Sequence, residues 1–211
     1  MNTVTHHLPD WMIRAYVAGG LGRAFSLVVA AHVTLCDECR AQMEGEEASG
    51  GIVFEDQRPE AVAVDLKARV MASLDTVPAS PAQPAQQGIY PGAVMAALKG
   101  RAPRWRTLGG GIRQAVLSHD AEGSARLLYI PGRVAVPDHG HKGLELTLVL
   151  QGSFADETGR FAVGDVEVAG AELEHQPIAE QGAPCICLAA TDAPLRFSSF
   201  VPRLLQPIFR I

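Results

Sequence analysis

Apolar residues in the first third of the chain recur every three to four positions, whereas beyond residue 100 they alternate or gather into short blocks. That change of period predicts helices followed by strands. Trp11, Ile13, Tyr16 and Val17 mark a first helix, opened by Pro9-Asp10 and stopped by Gly19-Gly20. A second apolar helix is expected over 21–32. A third starts near Cys36, carries Arg40 and Met43, and is expected to end in the polar stretch EGEEASGG at 44–51. A fourth is expected over 59–74, where Val62, Leu66, Val70 and Leu74 recur every four residues and Val64 and Met71 widen the stripe. So wide a stripe serves either a bundle core or a partner.

Residues 77–92, VPASPAQPAQQGIYPG, place four prolines among Ala, Gln and Gly and read as an extended linker. A short helix is expected over 93–99. Strand-like runs follow at 112–118, 125–130, 144–150, 161–168 and 185–190, separated by turn signals such as DAEG, PDHGHKG, DETG and EQGAP. The apolar tail 198–211 is expected to pack along them. The reading is a multi-domain α plus β chain: a helical domain over 1–76, a linker over 77–92, and a β sandwich or barrel over 93–211.

Hydrophobic content of 47% supports a packed core, and the 6% aromatic content makes it largely aliphatic. The net charge of −5 is unevenly spread: residues 1–85 carry 11 acidic and 6 basic side chains, and residues 86–211 carry 12 of each. An acidic domain repels phosphates and attracts basic protein surfaces, which argues against direct nucleic-acid binding. The start MNTVTHHLPDW lacks a basic and then apolar leader, and no apolar run is long enough to cross a bilayer. A cytoplasmic protein with reduced thiols is the expectation, and there a C-x2-C pair favours metal over disulfide.

His32, Cys36 and Cys39 form H-x3-C-x2-C. Two residues apart at a helix start, both thiolates can face one ion, and His32 lies one turn before them. A fourth ligand has to come from elsewhere, with His6 or His7 the available donors. A closed His2Cys2 site is structural, and it would staple the first helix to the corner of the next two. This pattern resembles the zinc-containing anti-sigma factors over residues 7–75. The resemblance selects His7 over His6 and implies a four-helix zinc domain that clasps an ECF-type sigma factor.

A second cluster follows about 100 residues later. Gly132, His139, His141, Glu145 and Gly152 resemble the first cupin motif, and Gly164-Asp165 with His175 resembles the second. His139 and His141 are two apart on extended backbone and so share a face. Three imidazoles and a carboxylate can hold Zn, Mn, Fe or Ni, and ligand type alone does not choose among them; zinc is the occupant expected for this second divalent site. The chain departs from the motifs by one extra residue in the first gap, and by lacking the usual Pro and Asn of the second. Cys185 and Cys187 also share a strand face, as core thiols or as a redox-responsive pair.

Together the halves resemble the ChrR-type anti-sigma factors over nearly the whole chain. The resemblance implies a non-enzymatic inhibitor, bound one-to-one to an ECF-type sigma factor and releasing it under oxidative stress such as singlet oxygen through the cupin domain. The alternative is a cupin metalloenzyme, a dioxygenase or isomerase, with an accessory zinc domain.

Overall fold

The computed structural model describes residues 3–74, 76, 84–140 and 142–193, and the backbone of 196–197. His141 and the apolar tail 198–211 lie outside the described residues. The helices are α1 (Asp10–Val17), α2 (Arg23–His32), α3 (Asp37–Glu55), α4 (Leu66–Ser73) and α5 (Gly92–Ala97). The strands are β1 (Arg106–Gly109), β2 (Ile112–Asp120), β3 (Gly123–Ile130), β4 (His139–Gly140), β5 (Glu145–Gln151), β6 (Ser153–Ala155), β7 (Arg160–Ala162), β8 (Val166–Ala169), β9 (Glu174–His175), β10 (Ile178–Ala179), β11 (Cys185–Thr191) and β12 (Arg196–Phe197).

Strands β1-β2-β3-β11-β5-β8 form one antiparallel sheet. Two three-stranded sheets, β10-β6-β7 and β12-β4-β9, complete the cupin barrel. The central strands β5 (ELTLVLQ) and β11 (CICLAAT) are buried on both faces, which explains why they read as near-continuous apolar runs, whereas β1 at the sheet edge is mostly exposed. Val149, Cys185 and Cys187 face the barrel interior with Phe154 and Phe161. Leu146, Leu148, Leu188 and Leu127 share the other core with Val28, Val29 and Ala31 of α2. In register, Leu188 sits between Leu127 and Leu148, so three leucines line up beneath the helix. Helices α1, α2 and α5 and the sheet thus share one core, at roughly 2 kcal/mol of favourable transfer per buried leucine.

The third and fourth helices differ from their expected bounds. α3 runs through EGEEASGG to Glu55. A glycine costs a helix only about 1 kcal/mol against alanine, and with no proline before Pro59 nothing forces a stop. The fourth helix is shorter than 59–74, and among its residues none is buried. Residues 59–63 make no helical turn; periodicity alone cannot sustain a helix that packs on nothing. The expected strand over 161–168 is two strands, β7 and β8, because Gly164 (φ +95°) turns the chain between them.

Candidate functional site

Local sequence builds most of the first site. His32 is the last residue of α2 and Cys36 caps α3, its Sγ accepting from the Cys39 N–H at 3.5 Å. The N-terminal segment brings His7 Nδ1 to 3.2 Å from Cys36 Sγ and 3.7 Å from Cys39 Sγ. Ligand atoms of His7, His32, Cys36 and Cys39 all lie within 4.8 Å of one another. A tetrahedral ion with bonds of about 2.3 Å to sulfur and about 2.0 Å to nitrogen separates its ligands by roughly 3.5 Å, so this spacing fits.

Two further features prepare the site for a metal. His32 Nδ1 lies 2.9 Å from the Gly164 carbonyl, so it carries the proton and donates it there. The other ring nitrogen, Nε2, is buried without a hydrogen-bond partner. A buried lone pair with no donor is costly unless a cation takes it. Burial also pushes the His32 imidazole down to about 4 and the Cys39 thiol up to about 11. His6 turns away: its ring lies 4.3 Å from that of Phe161, and its N–H donates to Asp165.

The second site comes from distant strands. β4 pairs with β9 so that His139 lies directly across from His175, with ring centroids 4.7 Å apart. His139 Nδ1 sits 2.9 Å from the Pro137 carbonyl, which fixes its proton there and leaves Nε2 as the lone-pair nitrogen. Glu145 opens β5, is buried, and accepts from the Thr147 hydroxyl at 3.1 Å. Of the expected residues the structure therefore brings His139, Glu145 and His175 to one barrel; His141 lies outside the described residues.

Three interior groups were missed at the sequence level. Asp156 and Glu167 both face His175 Nδ1, at 2.7 Å and 3.1 Å, and these three form the other compact group of potential ligand atoms among the described residues. Burial opposes a charged His175, but its bonds to Glu167 and Asp156 prevail and hold it at about 9. Burial lifts Glu167 to about 7. It would lift Asp156 too, yet hydrogen bonds with Glu167, Thr158 and His175 bring that carboxyl down to about 2. Arg126 is buried on β3, donating to Gln114 and Ser124; burial pushes its guanidinium down from the usual value, and Glu145 only partly opposes this. An acid within the apolar run of β8 was the available signal for Glu167; Asp156 sits in DETG, which reads only as a turn. Carboxylates on the Nδ1 of His175 form an outer shell of the kind common around ligating histidines.

The thiols Cys185 and Cys187 are buried with sulfurs 3.4 Å apart. The hydrogen bond between them and burial push the Cys187 thiol up, away from the reactive thiolate.

A family model described as the ChrR cupin-like domain matches residues 94–193. The chain is 56% identical over 212 residues to the anti-sigma-E factor ChrR of Cereibacter sphaeroides, covering 99% of this chain and 100% of that one. It is also similar to a crystal structure of Rhodobacter sphaeroides SigE in complex with the anti-sigma ChrR, with a TM-score of 0.79, 54% identity, and coverage of 90% of this chain and 100% of that one. Among the described residues no helix is long and apolar enough to cross a membrane. With a sulfur–nitrogen cluster beside its first helices, a cupin barrel behind them and a relative matched from end to end, the chain belongs to the ChrR family of anti-sigma factors.

Proposed function

We propose that this chain binds an ECF-type sigma factor one-to-one in the cytoplasm and keeps it from RNA polymerase and promoter DNA. The observation that carries this reading is the apolar surface left open on the acidic N-terminal part. Ile52, Val53 and Phe54 at the end of α3, and Val62, Val64, Val70, Met71 and Leu74 beyond it, are all exposed, Phe54 at 79%. Apolar side chains collected on about 25 residues mark a surface that a partner covers, and the acidic setting suits a basic, DNA-binding partner. That the similar ChrR structure is a complex with SigE supports the same choice. It also weighs against the metalloenzyme alternative.

In this reading residues 1–76 hold the sigma factor, 77–92 tether, and 93–211 sense. Zinc is the ion suited to His7, His32, Cys36 and Cys39, and when bound it ties the N-terminal segment to the corner of α2 and α3. His139, His141, Glu145 and His175 hold a second divalent metal, zinc as well, with Asp156 and Glu167 orienting His175. An oxidant such as singlet oxygen acts at the barrel, and the sigma factor is released. The direct test is co-expression with the cognate ECF sigma factor, followed by co-purification and metal analysis. A stable complex carrying zinc is expected; a metal-loaded protein that retains no sigma factor overturns the reading.

A further inference from the structure

One stretch of chain, residues 156–167, touches both sites. Asp156 and Glu167, its ends, both bond His175 in the cup. Its tip, the turn between β7 and β8, lies at the other site. There the Gly164 carbonyl accepts from His32 Nδ1 at 2.9 Å. Asp165 Oδ1 accepts the backbone N–H groups of Thr5 at 2.7 Å and His6 at 2.9 Å, immediately before His7. Its Oδ2 accepts the Ala162 N–H at 2.8 Å, and the Val166 N–H donates to the His6 carbonyl at 3.2 Å.

We propose that residues 156–167 couple the cup to the His/Cys site, with Gly164 and Asp165 of the barrel positioning two of that site's four ligands. Within the helical region Cys36 and Cys39 are fixed by the helix they begin, and Glu38 of that helix lies 3.4 Å from His7 Nε2; the barrel supplies the other contacts. His32 takes its tautomer from a barrel carbonyl, and His7 takes its place from a segment pinned by a barrel carboxylate. Outer-shell groups of this kind set how tightly a metal is held.

The stretch is stiff enough to transmit. Gly164 donates to the Val149 carbonyl at 3.0 Å and Val149 donates to that of Asp165 at 3.1 Å, tying the tip to β5. Asp156 Oδ1 closes the other end by accepting from the Thr158 N–H at 2.9 Å and its hydroxyl at 2.7 Å. A change at His175 that displaces Asp156 or Glu167 therefore moves a braced element whose far end holds His32 and residues 5–6. The surface that α3 presents then loosens without any chemistry at the thiolates.

This inference rests on the zinc reading given above, and the test separates the two. Full-length protein loaded with zinc is challenged with a chromophoric chelator, and zinc loss is followed. Asp165→Ala is expected to weaken retention about 10-fold or more. Asp156→Ala, which touches only the cup end, is expected to speed metal loss from the thiolates as well, with the double variant no worse than the weaker single. That loss is followed in cobalt-substituted protein by the sulfur-to-cobalt band, because the proposed cup ligands include no sulfur. In cobalt-substituted protein the sulfur-to-cobalt charge-transfer band is expected to move in both variants, a signature that a merely looser fold does not give. Should Asp165→Ala unfold the chain, Gly164→Ala replaces it, since its Cβ would fall 2.7 Å from Val4 Cγ2. Wild-type retention in the tip variant, or an effect at the tip with none from Asp156→Ala, overturns the coupling. A wild-type chain that binds no zinc overturns the zinc reading and the coupling with it.

Discussion

Two stretches of the N-terminal region are alike in apolar character and opposite in fate. α2 buries Phe25, Val28, Val29 and Ala31 against the sheet. The end of α3, with the residues through α4, leaves Ile52, Val53, Phe54, Val62, Val64 and Met71 in solvent. The first stretch completes a core shared by helices and barrel. The second has no surface of its own chain to cover it among the described residues. Burial thus sorts the apolar residues into those that hold the fold and those left for a partner.

That contrast breaks most sharply at the corner from which both stretches depart. Cys36→Ser removes a thiolate while leaving a hydroxyl that still caps α3, and sigma binding is expected to be lost in pull-down; a variant binding at wild-type affinity would sink the staple. Within the packed stretch, Leu188→Ala empties the fully buried position between Leu127 and Leu148. A loss of about 2–5 kcal/mol is expected in denaturant melts, with sigma affinity unchanged wherever the protein remains folded. The open stretch should behave in the reverse way. Phe54→Asp is expected to leave the melting curve unaltered while weakening sigma binding about 10- to 100-fold in calorimetry; equal melting loss and intact binding would erase the distinction.

Smaller effects are expected inside the barrel. His141→Ala with Glu145→Ala should spare repression in a reporter strain and block induction by singlet oxygen, and undiminished induction would remove the cup as sensor. The least effect belongs to the thiols. Cys185 and Cys187 in native protein should react with iodoacetamide far more slowly than in denatured protein, since both are buried and their mutual bond and burial push the Cys187 thiol up. Rapid native labelling would favour the redox-responsive pair instead.

Much of this was legible from spacing. His32, Cys36 and Cys39 fall within eight residues, so one helix end and one helix start settle their convergence. α1, α2, β2, β3, β5 and β11 follow from periodicity and stop signals within a residue or two, because the forces that choose them act over one or two turns of chain. His139 and His175 were matched through motifs, yet their direct opposition depends on the pairing of two-residue strands that no propensity announces.

The sequence by itself determined the order helices then barrel, the sulfur–nitrogen chemistry of the first cluster, and the acidic character of the part that carries it. Tertiary structure alone decided that α2 lies on the sheet, that Asp156 and Glu167 converge on His175, and that Gly164 and Asp165 reach His32 and the segment before His7. The reason is separation along the chain. Gly164 and His32 are 132 residues apart, and Asp165 and Thr5 are 160 apart. Contacts so distant arise from packing two faces of one sheet, which leaves no periodic trace in either segment.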